Sequence, residues 1–353
     1  MNIVVVGLNY KTSPIEAREA CYLRITEREL LLSELKHNPS VAAAIVLSTC
    51  NRTEIYAHTL EENPQSLLHH LLGLKNLSFD SAFRKYFYTY HGKQAVRHLF
   101  EVSAGLDSLI LGEKQILGQL KDAIELSRKK GMMNREFNIL AHLAIRVGKK
   151  VRNETLIESG GSSVSWAAVS TAKKALGTLK GKSVLIIGAG KMGHLAVSSL
   201  RQKQAGQIYI MNRTADKAAS LAREYGGLAV DFWDLKSILE VVDVCICSAE
   251  CPHYLIEKDL VEKIMETRRH KRLICIDISI PRNISPAIAD LNDVSLFSID
   301  DLEKAVEENV RQRHTAIPKV EEIISEKIIE FYRKITKGYL RAEGKFSEIA
   351  QVS

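Results

Sequence analysis

The sequence predicts a multidomain α/β protein whose three parts differ in their secondary-structure pattern. The 353 residues are about twice the usual length of a single domain. In residues 1–150, short β-rich runs mix with amphipathic helices, which indicates an α+β domain. Residues 151–299 alternate strands with helices, which is typical of parallel βαβ units. Residues 300–353 have a helical pattern, so we expect a short C-terminal helical region there.

The predicted elements follow one another without internal repeats. In the first domain we predict strands at 3–6, 41–47 and 54–57 and helices at 26–37, 64–74, 93–102, 113–130 and 134–158. A glycine pair at 160–161 then predicts a hinge. In the second domain we predict strands at 183–187, 207–211, 228–230, 241–247, 273–278 and 295–297, with helices that start near 191, 215, 235 and 257.

The composition excludes several classes of protein. Lys and Arg number 49 against 42 Asp and Glu, a net charge of +7, and 46% of residues are hydrophobic with only 7 prolines. This balance excludes collagen, low-complexity disorder and disulfide scaffolds. The first residues lack a signal peptide's basic and apolar regions, and no apolar run approaches the roughly 18 residues of a membrane span. We therefore expect no membrane segment.

The 6 cysteines are neither dense nor regularly spaced, which is typical of free thiols in a reducing compartment. A cytoplasmic location is the expectation. Cys245, Cys247, Cys251 and Cys275 lie on or beside predicted strands, where buried thiols explain them better than zinc ligands do. No metal site is predicted.

A glycine-rich turn directly follows the strand at 183–187. It has the pattern GxGxxG, formed by Gly188, Ala189, Gly190, Lys191, Met192 and Gly193. In such a turn the first glycine permits a tight bend, the second lets the backbone approach a pyrophosphate, and the third allows helix and strand to pack closely. The turn therefore predicts a dinucleotide site at a helix N-terminus. A glycine turn needed only for packing is the alternative.

The end of the next strand distinguishes between nicotinamide cofactors. An NAD site usually carries an acid there, about 20 residues further on, to bind the ribose 2′-hydroxyl. In this sequence the residues after the strand at 207–211 are Asn212, Arg213 and Thr214. Because an arginine can bind a 2′-phosphate through charge-assisted hydrogen bonds and no carboxylate repels it, the sequence favours NADPH over NADH.

Cys50 falls on a tight turn between the predicted strands at 41–47 and 54–57, where a substrate can reach it. Arg52 supplies a cation that can lower the pKa of the thiol, and the thiolate is the nucleophilic form. The competing interpretation is that Cys50 is a buried structural thiol.

A second polar cluster combines three glycines with residues that can hydrogen-bond a small ligand. Its members are Gly105, Ser108, Gly112, Glu113, Lys114, Gln115, Gly118 and Gln119. The cluster predicts a polar ligand site on a loop and a helix face, with capping and turn formation as the alternative. His98, on the preceding helix, can reach the same face or play a structural part.

Between Lys121 and Arg152, nine basic residues stand against three acids. Such a stretch suits a polyanionic partner, although a solvated helix face explains the same pattern.

Several of these motifs together resemble glutamyl-tRNA reductase, the first committed enzyme of five-carbon tetrapyrrole synthesis. The resemblance rests on residues 48–54, which read STCNRTE, and on the run 98–119. It continues in family order through residues 163–168, 188–193, 212–214, 277–282 and 299–302. The chain is therefore similar to this family over at least residues 3–302.

The resemblance implies roles for particular residues. It implies that Cys50 is the nucleophile and that His98 is the family's activity-supporting histidine. It places around the glutamyl group Thr49, Asn51, Arg52, Ser108, Glu113, Lys114, Gln115 and Gln119. The turn at 188–193 would hold NADPH.

The resemblance also implies a fold and partners. The expected architecture is an N-terminal catalytic domain, a Rossmann-type NADP-binding domain and a helical dimerisation region, joined by a long spinal helix. The expected partners are glutamyl-tRNA(Glu), a second copy of the chain in a homodimer, and glutamate-1-semialdehyde aminomutase as recipient of the product. Since the chain ends about fifty residues past Asp301, shorter than usual in the family, we expect a dimer interface that is shortened or arranged differently.

The implied reaction is NADPH-dependent reduction of glutamyl-tRNA to glutamate-1-semialdehyde through a thioester on Cys50. Because the implied substrate is a polyanion, we now favour the interpretation that the basic stretch contacts tRNA through residues such as Arg146, Lys149 and Lys150. Two alternatives remain. One is an NADP-dependent dehydrogenase of a small hydroxy or keto acid in which Cys50 is structural. The other is a non-catalytic tRNA-binding regulator.

Overall fold

A computed structural model of the chain describes residues 2–60, 64–77, 81–157, 163–269, 271–305 and 314–350. The chain forms two units, one of residues 1–159 with 311–353 and the other of residues 160–310. The sequence predicted domain limits at 150 and 299 with a separate C-terminal region, whereas in the structure the C-terminal helix belongs to the first unit. The predicted glycine hinge lies outside the described residues.

The first unit contains a four-stranded antiparallel sheet. Its strands are β1 (Asn2–Asn9), β2 (Val41–Ser48), β3 (Arg52–Thr59) and β4 (Tyr88–His91). Their spatial order is β2-β3-β1-β4. The three strands predicted in this domain are confirmed, whereas β4 was not predicted. Asn9 pairs with Arg52, and Ser48 pairs with Thr53. The end of β1 and the turn between β2 and β3 therefore meet at one edge of the sheet.

Both faces of this sheet are covered, which explains why β1 reads as a continuous apolar run. Ile3 and Val5 face one hydrophobic core, and Val4 and Val6 face the other, because neighbouring side chains of a strand point to opposite faces. The helices of this unit before the C-terminal one are α1 (Ile15–Cys21), α2 (Ile25–His37), α3 (Gln65–Leu74), α4 (Ser81–Arg84), α5 (Gly92–Ala104), α6 (Gln115–Lys129) and α7 (Arg135–Glu154).

The second unit is a parallel six-stranded sheet with the doubly wound topology that the alternating pattern predicts. Its strands are β5 (Val184–Ile187), β6 (Ile208–Met211), β7 (Leu228–Val230), β8 (Val244–Cys247), β9 (Leu273–Asp277) and β10 (Val294–Ser298), in the order β10-β9-β8-β5-β6-β7. Its α-helices are α8 (Val164–Leu176), α9 (Lys191–Gln202), α10 (Ala215–Tyr225), α11 (Leu235–Val241) and α12 (Lys258–Thr267). The strand order reverses between β5 and β8, and folds of this class bind ligands at that point.

The longest helix is α13 (Ile317–Ala350), which returns to the first unit. Val320, Ile324, Ile328, Phe331 and Ile335 lie in the same hydrophobic core as α5 and α7. Up to residue 337, where the described side chains end, the apolar face of α13 is thus buried within its own chain. Within the described parts of the chain, no helix has the length and hydropathy required to span a bilayer.

Candidate active site

The turn between β2 and β3 carries Cys50 at the edge of the sheet. The amide of Thr49 donates to the carbonyl of Arg52 at 2.8 Å, and the amide of Asn51 donates to Thr49 Oγ1 at 3.2 Å. Tyr10 holds the same turn by donating its amide to the carbonyl of Asn51 at 3.0 Å. Thr49 and Asn51 are buried while Cys50 is partly exposed. These three hydrogen bonds fix the backbone of the turn that carries Cys50.

The local electrostatics keep this thiol protonated in the unliganded protein. Burial, reinforced by the negative charge of Glu113, raises the pKa of the Cys50 thiol to about 12. Arg18 and Arg52 act in the opposite direction but do not compensate. Arg52 thus lowers the pKa of the Cys50 thiol, as its charge predicts, but the effects that raise this pKa are larger. Ionisation of Cys50 needs a change in this environment.

Arg52 is buried in an ion network instead of pointing freely at the sulfur. Its side chain is 1% exposed, and Nη1 donates to Glu54 Oε1 at 2.7 Å and to Asp107 Oδ2 at 2.9 Å. Nη2 donates to the backbone carbonyl of Asp107. Burial raises the pKa of Asp107, but Arg52 and Lys11 outweigh it and leave that pKa below its ordinary value. Three N–H groups of Arg52 are thus committed to protein acceptors, and two remain for a ligand.

A loop after β1 completes this edge and was missed by sequence reasoning. Asn9 Nδ2 donates to Asp107 Oδ2 at 3.2 Å, Tyr10 Oη donates to the carbonyl of Ser108 at 3.2 Å, and Lys11 forms an ion pair with Asp107. The available signal was a polar run, Asn9 to Ser13, directly after a buried strand. The buried Arg18 on α1 was missed too. It carries no local pattern that distinguishes it from a surface arginine.

The residues predicted to surround a substrate include buried polar atoms that lack protein partners. Among the described residues, Asn51 Oδ1, Ser108 Oγ and Gln115 Nε2 make no hydrogen bond. Buried polar groups in native proteins are nearly always paired, so these three atoms have hydrogen-bonding capacity left for a polar ligand. Glu113 is buried close enough to influence Cys50, Gln119 is half-buried on α6, and Lys114 is exposed.

The loop that contains Ser108 requires glycine at two positions where the backbone has a positive φ. Gly105 and Gly112 have φ values of +74° and +77°, which favour glycine, and the amide of Gly112 donates to the carbonyl of Gly105 at 2.9 Å. Arg152 on α7 also holds the loop, because its Nη2 donates to the carbonyl of Glu113 at 3.0 Å. These contacts place Ser108 and Glu113 on a fixed scaffold.

His98 lies in the same buried network but is not hydrogen-bonded to Cys50. Its Nε2 is 2.8 Å from Glu54 Oε1, and its ring is 6% exposed between the rings of Tyr56, Tyr88 and Tyr90. The structure therefore connects His98 to Arg52 through Glu54.

The glycine turn of the second unit has the geometry of a dinucleotide site. Gly188 has a φ of +107°, and its amide donates to the carbonyl of Met211 at 2.8 Å. A β-carbon at Gly193 would overlap the carbonyl oxygen of Gly188, whereas a β-carbon at Gly190 would have no heavy atom within 4 Å. Gly193 is thus required for packing and Gly190 leaves space beside the N-terminus of α9. The three glycines fit a bound pyrophosphate.

The segment after β6 lies beside this turn. Asn212 Oδ1 accepts from the amide of Ala189 at 3.0 Å, and Asn212 Nδ2 donates to the carbonyl of Thr214 at 3.0 Å. Asn212 therefore ties the two loops together. Arg213 and Thr214 are exposed beside it, and Lys191 and Met192 begin α9.

Part of the predicted basic stretch serves contacts within the chain. Arg146 pairs with Glu330 at 3.4 Å, and Lys150 pairs with Glu326 at 3.0 Å, so both connect α7 to α13. Lys149 is exposed. Arg146 and Lys150 therefore already form ion pairs with α13, and contact of these residues with tRNA stays a prediction.

The remaining cysteines give no indication of a metal site. Cys245, Cys247 and Cys275 are buried on neighbouring strands, and burial raises the pKa of each thiol. Among the side chains that the structure describes, no group of three His, Cys, Asp or Glu could hold a metal ion.

Comparison with known proteins gives a consistent result. Residues 6–155 match the family model of the glutamyl-tRNAGlu reductase N-terminal domain, and residues 170–305 match that of shikimate/quinate 5-dehydrogenase. The chain is 37% identical over 342 residues to the glutamyl-tRNA reductase of Thermodesulfovibrio yellowstonii, covering 94% of this chain and 80% of that protein. It is 39% identical over 336 residues to that of Geobacillus kaustophilus, covering 94% and 73%.

A solved structure also matches nearly the whole chain. The glutamyl-tRNA reductase from Methanopyrus kandleri superposes with a TM-score of 0.55 at 31% identity, covering 96% of this chain and 82% of that one.

Proposed function

The chain belongs to the glutamyl-tRNA reductase family, and on that premise we propose that it reduces glutamyl-tRNA(Glu) to glutamate-1-semialdehyde through a thioester on Cys50. The first unit would bind the glutamyl group and the second a nicotinamide cofactor. This is the first step of five-carbon tetrapyrrole synthesis.

The observation that supports this function is the set of unpartnered buried atoms around the Cys50 turn. Asn51 Oδ1 accepts, Ser108 Oγ donates or accepts, and Gln115 Nε2 donates. A glutamyl ester carries an α-ammonium donor and two kinds of acceptor oxygen, so it can satisfy all three. The two remaining N–H groups of Arg52 suit a carboxylate or a carbonyl oxygen of the same ligand. Thr49, Lys114 and Gln119 are proposed as further contacts.

The covalent step divides a hard reduction into two easier ones. The sulfur of Cys50 attacks the ester carbonyl, the bond from the carbonyl carbon to the ribose oxygen breaks, and the thiol proton leaves with the ribose hydroxyl. The cofactor held by the second unit would supply a hydride for the thioester carbonyl and solvent would supply one proton, so that the hemithioacetal on Cys50 would collapse to the free thiol and the aldehyde. A thioester accepts hydride more readily than a carboxylate does.

Substrate binding supplies the electrostatic change that Cys50 requires. Glu113 is the largest charge contribution that disfavours ionisation of Cys50. A substrate ammonium placed against Glu113 would neutralise that carboxylate and so lower the pKa of the thiol. Activation of the nucleophile would then depend on the correct amino acid being present.

The second unit holds a nicotinamide cofactor on the turn at 188–193, and we propose NADPH in particular. Arg213 is exposed beside that turn, and no acid stands at the position where an NAD site needs one. Replacing Arg213 with alanine is expected to weaken NADPH binding by about tenfold or more, equivalent to one charge-assisted hydrogen bond. NADH binding should stay within a factor of two. Titration of both cofactors measures the difference, and an equal loss for both would contradict the role.

The other partners remain proposals. Contact with tRNA would involve exposed cations such as Lys149, with Arg146 and Lys150 available only if their pairs with α13 exchange. We also propose a homodimer and hand-over of the aldehyde to glutamate-1-semialdehyde aminomutase, on the ground of family membership, and a cytoplasmic location, on the ground of the cysteine usage. The described part of α13 buries its apolar face within the chain, so a dimer would use another surface of the described residues.

A single-turnover incubation with charged tRNA tests the proposed function. Without cofactor we expect loss of glutamate from tRNA and an equal amount of acylated Cys50, found by mass spectrometry. Aldehyde should appear only when NADPH is added. A hydroxy-acid dehydrogenase would leave the charged tRNA intact, and a regulator would bind it without acylation.

A further inference from the structure

We propose that a cavity on the surface of the first unit, beside the edge strand β4, binds a small organic carboxylate. The cavity has a volume of about 210 Å³. Its walls come from β1, α3, β4 and the segment that leads from Arg84 to β4. None of the described residues that line it belongs to the turn of Cys50 or to the loop that contains Ser108. This β4 cavity is therefore separate from the candidate active site.

The alternation of side chains along β4 explains why the cavity exists. Tyr90 packs against the hydrophobic core that contains Val5, whereas Thr89 pairs in register with Val6 and lines the cavity on the opposite face of the sheet. Thr89 and His91 are polar and exposed, so they do not continue the apolar layer that α3 forms over β1. The space left over the edge strand is the β4 cavity.

The cavity combines apolar walls with a positive charge. Val6 and Leu68 are buried and line it from β1 and α3, and Phe87 adds an aromatic ring. Arg84 also lines the cavity, and its planar guanidinium is always charged and matches the two oxygens of a carboxylate. Among the described residues that line the cavity, none is acidic. A ligand with an apolar ring and one carboxylate suits both parts.

Two helices that begin beside the cavity favour an anion further. Gln65 is the first residue of α3 and His91 is the N-cap of α5, and both residues line the cavity. Neither helix has an acid in its first turn or a capping side chain. A helix N-terminus carries a partial positive charge because its first N–H groups have no partner within the helix. These helix ends therefore add to the positive potential that Arg84 creates in the cavity.

The cavity lies on the far side of β4 from the residues around His98. Tyr88 and Tyr90 alternate with Thr89 and His91 along β4, and their rings contact the ring of His98. A ligand in the cavity would touch the opposite face of this strand. Binding there requires neither Cys50 nor charged tRNA, so the proposal can be tested independently of the proposed function.

The probe is 4-fluorobenzoate, and its binding to the full chain is measured by fluorine NMR. The cavity is smaller than the roughly 300 Å³ at which pockets for drug-sized ligands begin, so a single ring with one carboxylate is the appropriate size. We expect a dissociation constant of about 1 mM, which is ordinary for so small a ligand. 4-Fluorobenzamide has a similar shape without the charge and should bind at least about tenfold more weakly.

Three variants locate the binding site. Arg84→Gln should weaken 4-fluorobenzoate binding by about tenfold or more and leave 4-fluorobenzamide binding within about twofold of the parent value. The matched control is Lys85→Gln, which removes the next cation, also exposed but not part of the cavity wall, and should leave both dissociation constants within about twofold. Thr89→Phe places an aromatic ring in the cavity at an exposed position of a strand, where the fold tolerates it, and should abolish binding of both probes.

Several results would overturn the proposal. They are an absence of 4-fluorobenzoate binding by the parent protein up to about 10 mM, equal losses in Arg84→Gln and Lys85→Gln, parent-like binding by Thr89→Phe, and equal affinity for the charged and the uncharged probe. Failure of the parent protein to acylate Cys50 would overturn the proposed function and would leave these binding results as they are.

Discussion

Replacing Cys50 with alanine is expected to lower aldehyde formation by at least about 10⁴-fold, because removal of a covalent nucleophile eliminates the route through the intermediate. The loss should appear in kcat and in the acylation of the protein, with NADPH affinity unchanged. Cys50→Ser should also be inactive on this scale. A serine hydroxyl in the same turn is harder to ionise than the thiol, and Glu113 disfavours its anion as well.

The control for this variant is Cys251→Ala. Cys251 is partly exposed in the second unit and lies outside the proposed machinery. It should keep parent-like turnover and acylation by charged tRNA. If Cys50→Ala retained more than about a hundredth of the parent rate, the sulfur would not carry the acyl group and the proposed mechanism would be wrong.

Replacing Gly193 with alanine is expected to abolish measurable NADPH binding while leaving acylation of Cys50 within about twofold of the parent rate. The added β-carbon overlaps the carbonyl oxygen of Gly188, so the turn and α9 must move apart. A displaced turn no longer directs its amides to the pyrophosphate. Because acylation uses residues of the other unit, tRNA should still be deacylated without aldehyde being formed. Fluorescence titration with NADPH measures cofactor binding, and single-turnover deacylation of charged tRNA measures the acylation of Cys50.

Two further glycine variants separate a packing defect from a blocked ligand site. At Gly190 an added β-carbon has no heavy atom within 4 Å and the φ of −82° suits alanine, so Gly190→Ala should not change the melting temperature. Its NADPH affinity should nevertheless fall by about tenfold or more, because the methyl group occupies the pyrophosphate position. Gly73→Ala on α3 also meets open space and should change neither property. NADPH binding by Gly193→Ala within threefold of the parent value would contradict the assignment of this turn.

The features that were predicted from the sequence are short-range ones. The β-α alternation, the turn at 188–193 and the Cys50 turn each depend on residues within one or two elements, and all appear where the pattern placed them. Buried strands and glycine turns can be recognised from local sequence, because a strand must be apolar where it is covered and a positive φ favours glycine. Strand β4 was missed because its alternation extends over only four residues.

The sequence by itself determined the alternation of strands and helices in the second unit, the turn that carries Cys50 and the glycine turn at 188–193. Only the tertiary structure decided how the charges are used. It placed Arg52 between Glu54 and Asp107, turned His98 toward Glu54, and neutralised Arg146 and Lys150 with α13. The physical reason is that a charge acts through distance and burial, and apart from Arg52 and Glu54, which are two positions apart, the paired residues lie 44 to 184 positions apart along the chain.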